Sequence, residues 1–214
     1  MSDAKTEILE KVRRAIGPRL VDRVADYRAI ARGYRQSGSL DPAARLDLLE
    51  ERLHGYGAGV HRASRADLPA AIERVAAGRG KSRLLIPEGL PSEWLPDSLE
   101  FVRAEAAGVD ALDQAEGALT GCAAAIAMTG SIVLRHSAAE GRRALTLVPD
   151  YHLCIVFADR VVETVPEALR LMHAAGVGLL TTIAGPSATA DIEMTRIQGV
   201  HGPRTLDAIL VVSS

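Results

Sequence analysis

The sequence predicts an α/β protein in which a mostly parallel sheet carries helices on its faces and one antiparallel hairpin makes it mixed. Three observations predict this. From residue 57 onward, short apolar runs alternate with amphipathic helical stretches, the grammar of βαβ units. Hydrophobic residues make up 48% of the chain but aromatics only 3%, so the core is built from Ala, Val, Leu and Ile, which suits strands covered on both faces. Between residues 122 and 134, two apolar runs are separated only by Thr129-Gly130-Ser131. That leaves no room for a crossover helix and requires an antiparallel pair.

Taken in order, residues 3 to about 56 read as helical. Ile8, Leu9, Val12 and Ile16, then Leu20, Val21, Val24 and Tyr27, recur at helical spacing, and Pro18 breaks the first helix. Asp41 is placed to N-cap another helix, with Pro42 at its first position and Leu46, Leu48, Leu49 and Leu53 as its apolar stripe. These residues are expected to form a helical extension over 1–56, packing on the domain or on a neighbouring subunit, which makes a homo-oligomer one of the expected assemblies. One compact α/β unit is expected over 57–214. Its strands are read at Ala58–Ala63, Arg83–Pro87, Leu99–Val102, His152–Phe157, Leu179–Ile183 and Ala208–Val212, besides the hairpin. Helices are read at Asp67–Ala77 and at Thr164–Ala175, the latter with Val165, Leu169 and Met172 inward and Gly176 as its stop. Shorter helical turns fall at Glu93–Leu95 and Ala111–Glu116, and His136 to Arg143 is a polar loop.

Composition excludes several function classes. A chain of 214 residues buries roughly 70% of its unfolded surface and needs no staples. The net charge of −2 gives no basic field for nucleic acid, and the scarcity of aromatics removes stacking platforms for single strands. Acidic residues interleave with the arginines of the helical start, which counts against a nucleic-acid arm. No apolar run approaches the roughly 18 residues of a membrane span, and the N-terminus has no signal core, so a soluble, cytoplasmic protein is expected. Cys122 and Cys154, the two cysteines, lie in apolar runs and read as buried thiols; without a C-x-x-C spacing they hold neither a zinc nor an iron–sulfur cluster alone. No two histidines stand at i, i+4, so no helical metal site is expected. There is also no G-x-G-x-x-G or P-loop pattern.

Candidate chemistry concentrates in residues 179–203. An apolar run ends in Gly185-Pro186-Ser187, small polar residues follow, and the stretch closes on Gly199-Val200-His201-Gly202-Pro203. Gly185 frees the backbone after the strand and Pro186 stiffens its exit. If the segment is extended, Ser187, Thr189 and Asp191 share one face. If it is a helical turn, Ser187 caps it and the free N–H groups favour an anion. Alternatively these groups only satisfy a turn, with Asp191 and Glu193 solvated. Glu193 is a candidate general base or nucleophile, and no second carboxylate or histidine spacing fixes that role. His201 between small neighbours admits a close ligand, while His152, opening an apolar strand, reads as a hydrogen-bonded core or rim residue. Thr129, Gly130 and Ser131 form a hairpin turn that could also offer hydroxyls and N–H groups to a pocket near 185–203. Arg142 and Arg143 are a candidate clamp for a carboxylate or phosphate.

Three runs together resemble a known family. These are Ala127-Met128-Thr129-Gly130-Ser131-Ile132-Val133-Leu134; Arg143-Ala144-Leu145-Thr146-Leu147-Val148-Pro149 with His152; and Gly185 to Glu193 followed by Gly199-Val200-His201-Gly202-Pro203. The chain from about residue 57 to its end resembles the LUD domain, in the short form called lactate-utilisation protein C. That resemblance implies a three-layer α/β/α fold with a mixed, mostly parallel sheet, similar to the phosphosugar-isomerase and CoA-transferase superfamily. It implies a part in oxidising L-lactate to pyruvate beside iron–sulfur partner proteins. Cluster-bearing relatives carry a cysteine-rich C-terminal part that this sequence lacks, so the clusters are expected on partners and none on this chain. The family supplies no settled catalytic residues. Asp191, Glu193 and His201 are expected as catalytic candidates. Thr129, Gly130, Ser131, Arg143, Gly185, Pro186, Ser187, Thr189 and Gly202 are expected to bind a small carboxylate or other anion.

Three function classes follow. The chain is a non-cluster subunit or accessory component of a lactate-oxidising assembly; or it is a self-sufficient enzyme on a small anionic substrate such as a phosphosugar, a CoA thioester or a folate; or it is a ligand-binding scaffold without chemistry. The second rests on superfamily analogy alone.

Overall fold

The structure is a computed structural model that describes residues 4–17, 23–176, 178–186, 188–190, 196–199 and 201–212. The chain divides into two units, Met1–Tyr34 and Arg35–Ser214. The first holds helices α1 (Ala4–Ile16) and α2 (Arg23–Ala29). The apolar stripe of α1 has the expected spacing, yet none of its residues is buried, and Glu7–Lys11 forms an i,i+4 ion pair at 2.9 Å on its surface.

The second unit starts with an extended stretch and then α3 (Pro42–Gly55). Asp41 caps α3 as the sequence predicts, its side chain accepting from the Ala44 N–H at 2.8 Å. There follow β1 (Gly59–Ser64), α4 (Leu68–Gly78), β2 (Arg83–Ile86), β3 (Glu100–Arg103), α5 (Val109–Asp113) and β4 (Ala118–Thr120). Next come β5 (Ala124–Ile126), β6 (Ser131–Leu134), β7 (Tyr151–Phe157), β8 (Val161–Val162) and α6 (Val165–Ala174). The chain finishes with β9 (Thr181–Ile183), β10 (Ala188–Ala190), β11 (Arg196–Gln198) and β12 (Thr205–Val212). Tight turns of 3-10 helix lie at Ser92–Trp94, Arg143–Thr146 and Ala158–Arg160.

The fold class is α/β with a mostly parallel sheet, as the sequence predicts. Six strands in the order β1-β12-β7-β4-β2-β3 are all parallel. The hairpin differs from expectation. β5 and β6 do pair antiparallel, but in a second sheet, β8-β5-β6-β9, rather than in the main one. Alternation along β7 and β12 explains why two sheets are needed. Leu153, Ile155, Ile209 and Val211 face α4 through Leu68, Ile72 and Val75. Cys154, Val156, Ala208 and Leu210 face the opposite way, onto Leu46, Leu49 and Leu53 of α3 and onto Ala125, Ala127, Ile132 and Leu134 of the small sheet. The other side of the small sheet, Ala124, Ile126 and Val133, takes Ala168 and Met172 of α6. Each sheet thus buries both faces, and the small sheet works as a wall between the main sheet and α6.

Two local expectations change. The helical run does not continue from 30 to 41. There the extended stretch is tied to the far end of the chain by Glu163, which is 2% exposed. Its carboxylate accepts from the Ser39 and Leu40 N–H groups at 2.6 and 2.7 Å and pairs with the Arg35 guanidinium. Charge-assisted bonds to two amides and a guanidinium outweigh one more turn of helix through Gly33 and Gly38. On α6 the inward pair is Ala168 and Met172, whereas Val165 and Leu169 are exposed at 41% and 53%. A close approach to the small sheet of Ala and Val selects the small Ala168 over the larger Leu169.

Candidate functional site

A cavity of about 270 Å³ opens at the amino ends of β7 and β12, where His152 and Leu206 are register partners. Three segments complete its wall: Arg143 to Leu147, Thr181 to Pro186, and His201 to Pro203. The end of β9, the turn before β12 and the loop before β7 therefore meet at one place. Gly185 makes the meeting possible. Its φ is +75°, and a Cβ there would lie 2.4 Å from the Tyr56 Cβ at the end of α3. Any side chain would be both strained and excluded.

The loop that brings in Arg143 is held by His136, whose φ of 56° is the one positive value found at a non-glycine among the described residues. His136 Nε2 lies 2.8 Å from the Thr181 hydroxyl and Nδ1 3.3 Å from the Gly141 carbonyl oxygen, so the imidazole fastens the loop to β9. Two such bonds offset the cost of a left-handed backbone. The neighbouring arginines then separate in role. Arg142 donates to the Ala104 and Ala107 carbonyls on the edge of the main sheet. Arg143 has no hydrogen-bond or ion-pair acceptor for its guanidinium among the described residues and stands in the cavity wall.

His152 is the group with the strongest chemistry. It is fully buried, its Nε2 lies 2.8 Å from the Thr120 hydroxyl, and its Nδ1 has no hydrogen-bond partner among the described residues. Burial lowers its pKa from 6.5 to about 4, so the ring is neutral at physiological pH. A buried ring nitrogen without a partner is costly, and a ligand hydroxyl in the cavity would satisfy it. The sequence shows His152 as a hydrogen-bonded core residue; its unsatisfied ring nitrogen and its place in the cavity wall come only from the fold.

The other sequence candidates distribute as follows. Gly185, Pro186, His201 and Gly202 line this cavity together with Arg143. Thr129, Gly130 and Ser131 are not part of its wall. They form the β5–β6 turn, where Gly130 packs against Arg52 and Tyr56 of the α3 end and the buried Thr129 Oγ1 has no partner among the described residues. Thr189 lies on β10, paired antiparallel with Ile197 of β11, so this part of the segment is extended. Ser187, Asp191 and Glu193 lie outside the described residues. Among the described residues no cluster of three or more His, Cys, Asp or Glu could hold a metal ion, and no helix is long and apolar enough to cross a membrane.

The family model of the LUD domain matches residues 46–211, a span that contains the whole cavity wall. The chain belongs to the LUD domain family. Lactate utilization protein C of Deinococcus radiodurans is 41% identical to it over 217 residues, covering 98% of this chain and 96% of that relative. Lactate utilization protein C of Geobacillus kaustophilus is 30% identical over 167 residues, covering 68% and 69%. A crystal structure of a DUF162 family protein from Deinococcus radiodurans superposes with a TM-score of 0.69 at 38% identity, covering 81% of this chain and 99% of that one. The LUD match begins within α3, whose Leu46, Leu49 and Leu53 are fully part of the core. The family span and the packed unit therefore both include a helix that precedes the first strand.

Proposed function

We propose that this chain serves lactate utilisation as the non-cluster component of an assembly that oxidises L-lactate to pyruvate, and that the cavity at the amino ends of β7 and β12 holds the carboxylate. The observation that carries this is the pairing, in one wall, of an Arg143 guanidinium that has no acceptor among the described residues with a buried neutral imidazole at His152. A 2-hydroxy acid has the complementary pair: a carboxylate for the guanidinium and an adjacent hydroxyl for the imidazole. The cavity of about 270 Å³ suits a ligand of that size. The relatives named lactate utilization protein C support the same substrate class.

The chemistry divides between chains. Converting L-lactate to pyruvate removes the C2 hydrogen with its electron pair and the hydroxyl proton, a loss of two electrons and two protons. This chain has two cysteines, too few to ligate a cluster by thiolates alone. The electrons are therefore assigned to iron–sulfur clusters on partner proteins. The part left to this chain is binding and orientation. Arg143 fixes the carboxylate, and His152 takes a hydrogen bond from, or gives one to, the C2 hydroxyl. A bound carboxylate also favours the imidazolium and so raises the basicity of His152. His201 on the same wall is proposed as a further proton-transfer group; Asp191 and Glu193, outside the described residues, stay candidates from the sequence alone.

In cells that carry this protein, affinity capture after growth on L-lactate is expected to bring down an iron–sulfur protein, and deletion of the chain is expected to abolish growth on L-lactate while sparing growth on pyruvate. A capture free of iron–sulfur protein together with unchanged growth would sink the assembly role. Turnover of a small phosphorylated substrate by the isolated chain would favour the self-sufficient enzyme instead.

A further inference from the structure

The carboxyl ends of the parallel strands carry a different cavity, of about 350 Å³, that the lactate reading does not use. Residues following β1, β4 and β7 converge on it, and in open parallel sheets this is the end at which ligands sit. His152, second residue of β7, lines one cavity and Phe157, its last, lines the other, so the two are separated by roughly 16 Å of strand.

Three arginines from three elements meet there: Arg65 after β1, Arg135 after β6 and Arg160 in the turn after β7. Arg65 and Arg160 have no carboxylate partner among the described residues. Arg65 instead lies 4.6 Å over the Phe157 ring, which packs at 5.2 Å against Trp94, so an aromatic pair orders this guanidinium. The one buried acid nearby offsets Arg135 and leaves Arg65 and Arg160. Glu140, 3% exposed, is turned to its own loop, accepting from the Arg135 and Ser137 N–H groups at 3.2 and 2.9 Å, and it stands 4.0 Å from the Arg135 Nε. Asp159 is exposed, and the half-buried Cys122 thiol, with Cys154 beside it and little water around it, is held well above its ordinary pKa and stays neutral.

We propose that this carboxyl-end cavity is a second ligand site, built for a small organic oxyanion whose head is held by Arg160 and Arg65 and whose planar body lies on Trp94 and Phe157. It is independent of the lactate cavity and stands or falls separately. Carboxylate and phosphate heads share the chemistry; the test separates them.

Trp94 is the one tryptophan in the sequence, so its emission reports on this cavity alone. Purified full-length protein is titrated with phenyl phosphate, benzoate and, as a neutral control, benzyl alcohol. The expected result is a saturable change in Trp94 emission with at least one of the two anions and none with benzyl alcohol. The tighter anion identifies the head group. Arg160→Ala, at an exposed position that leaves folding intact, is expected to weaken the titration at least tenfold, and Arg143→Ala in the lactate cavity to leave it unchanged. No saturable response to either anion, a response indifferent to Arg160→Ala, or one abolished by Arg143→Ala would each overturn the proposal.

Discussion

Arg79→Ala is expected to lower the unfolding free energy by about 4 kcal/mol, whereas Asp207→Asn, at the other end of the same ion pair, is expected to cost about 2 kcal/mol. Asp207 lies on β12 within the main sheet and is fully buried. Both of its oxygens accept from Arg79 at 2.7 Å, in the bidentate geometry that makes such pairs strong. Arg79 sits at the C-cap of α4, so this pair joins the helix to the sheet. The surroundings leave the carboxylate no other place. A Cβ on Gly59 would lie 1.9 Å from its Oδ1, and His61 Nε2 stands 3.8 Å away. Burial, together with the Asp207 charge, pushes the Tyr151 hydroxyl well above its ordinary pKa.

The unequal losses follow from exposure. The Arg79 side chain is 43% exposed and recovers water when Asp207 is neutralised. Asp207 has no such recourse, and losing Arg79 strands a buried charge. Denaturant titration of the two variants and of Arg79→Ala/Asp207→Asn decides it, with the double variant expected to be more stable than the sum of the single losses. A larger loss from Asp207→Asn than from Arg79→Ala would contradict the account.

Lowering the pH from 7.5 to 5 is expected to remove about 2 kcal/mol of stability through His152 alone, and His152→Gln is expected to abolish that part of the loss. The ring titrates near 6.5 when unfolded and at about 4 when folded. Between those values the unfolded chain binds the extra proton, so stability rises with pH and is lost as pH falls through the window. The carboxylates with lowered pKa act in a different range. Glu116, hydrogen-bonded by the Ser82 and Arg83 amides, contributes stability that is lost only as pH falls below the ordinary carboxylate value of 4.5. Chemical denaturation of wild type and His152→Gln at half-unit steps from pH 7.5 to 5 isolates the histidine term. Parallel stability curves for the two proteins would rule out a buried neutral imidazole.

Much of the architecture was legible because its causes are local. Strand–helix alternation, the Asp41-Pro42 start of α3 and the antiparallel pairing across Thr129-Gly130-Ser131 each depend on neighbouring residues. What stayed hidden depends on long-range pairing. β4 is three residues between Gly117 and Gly121, and β8 is two, too short for a periodic signal. The division into two sheets is set by which strands meet, and hairpin spacing is silent on that. Glu163 looks like one more surface acid until the fold brings it to Arg35, Ser39 and Leu40.

The candidate site divides the same way. The turns at 185–186 and 201–203 and the Arg143 loop share a wall, and each is marked in the sequence by its own glycine or arginine. That Arg142 turns away, that His136 fastens the loop, and that His152 keeps an unsatisfied nitrogen all follow from contacts more than thirty residues apart in the chain. Arg65 and Arg135 stand directly after β1 and β6, a position that could have marked the carboxyl-end cavity from sequence, but Arg160, at the end of the turn after β7, and Glu140 join them only in three dimensions.

Isothermal titration calorimetry with L-lactate tests the carboxylate site most directly. Saturable binding of one L-lactate per chain is expected, weakened roughly 10- to 100-fold by Arg143→Ala through the loss of a charge-assisted contact. Absence of binding at millimolar L-lactate, or an affinity unchanged in Arg143→Ala, would contradict the assignment of this cavity.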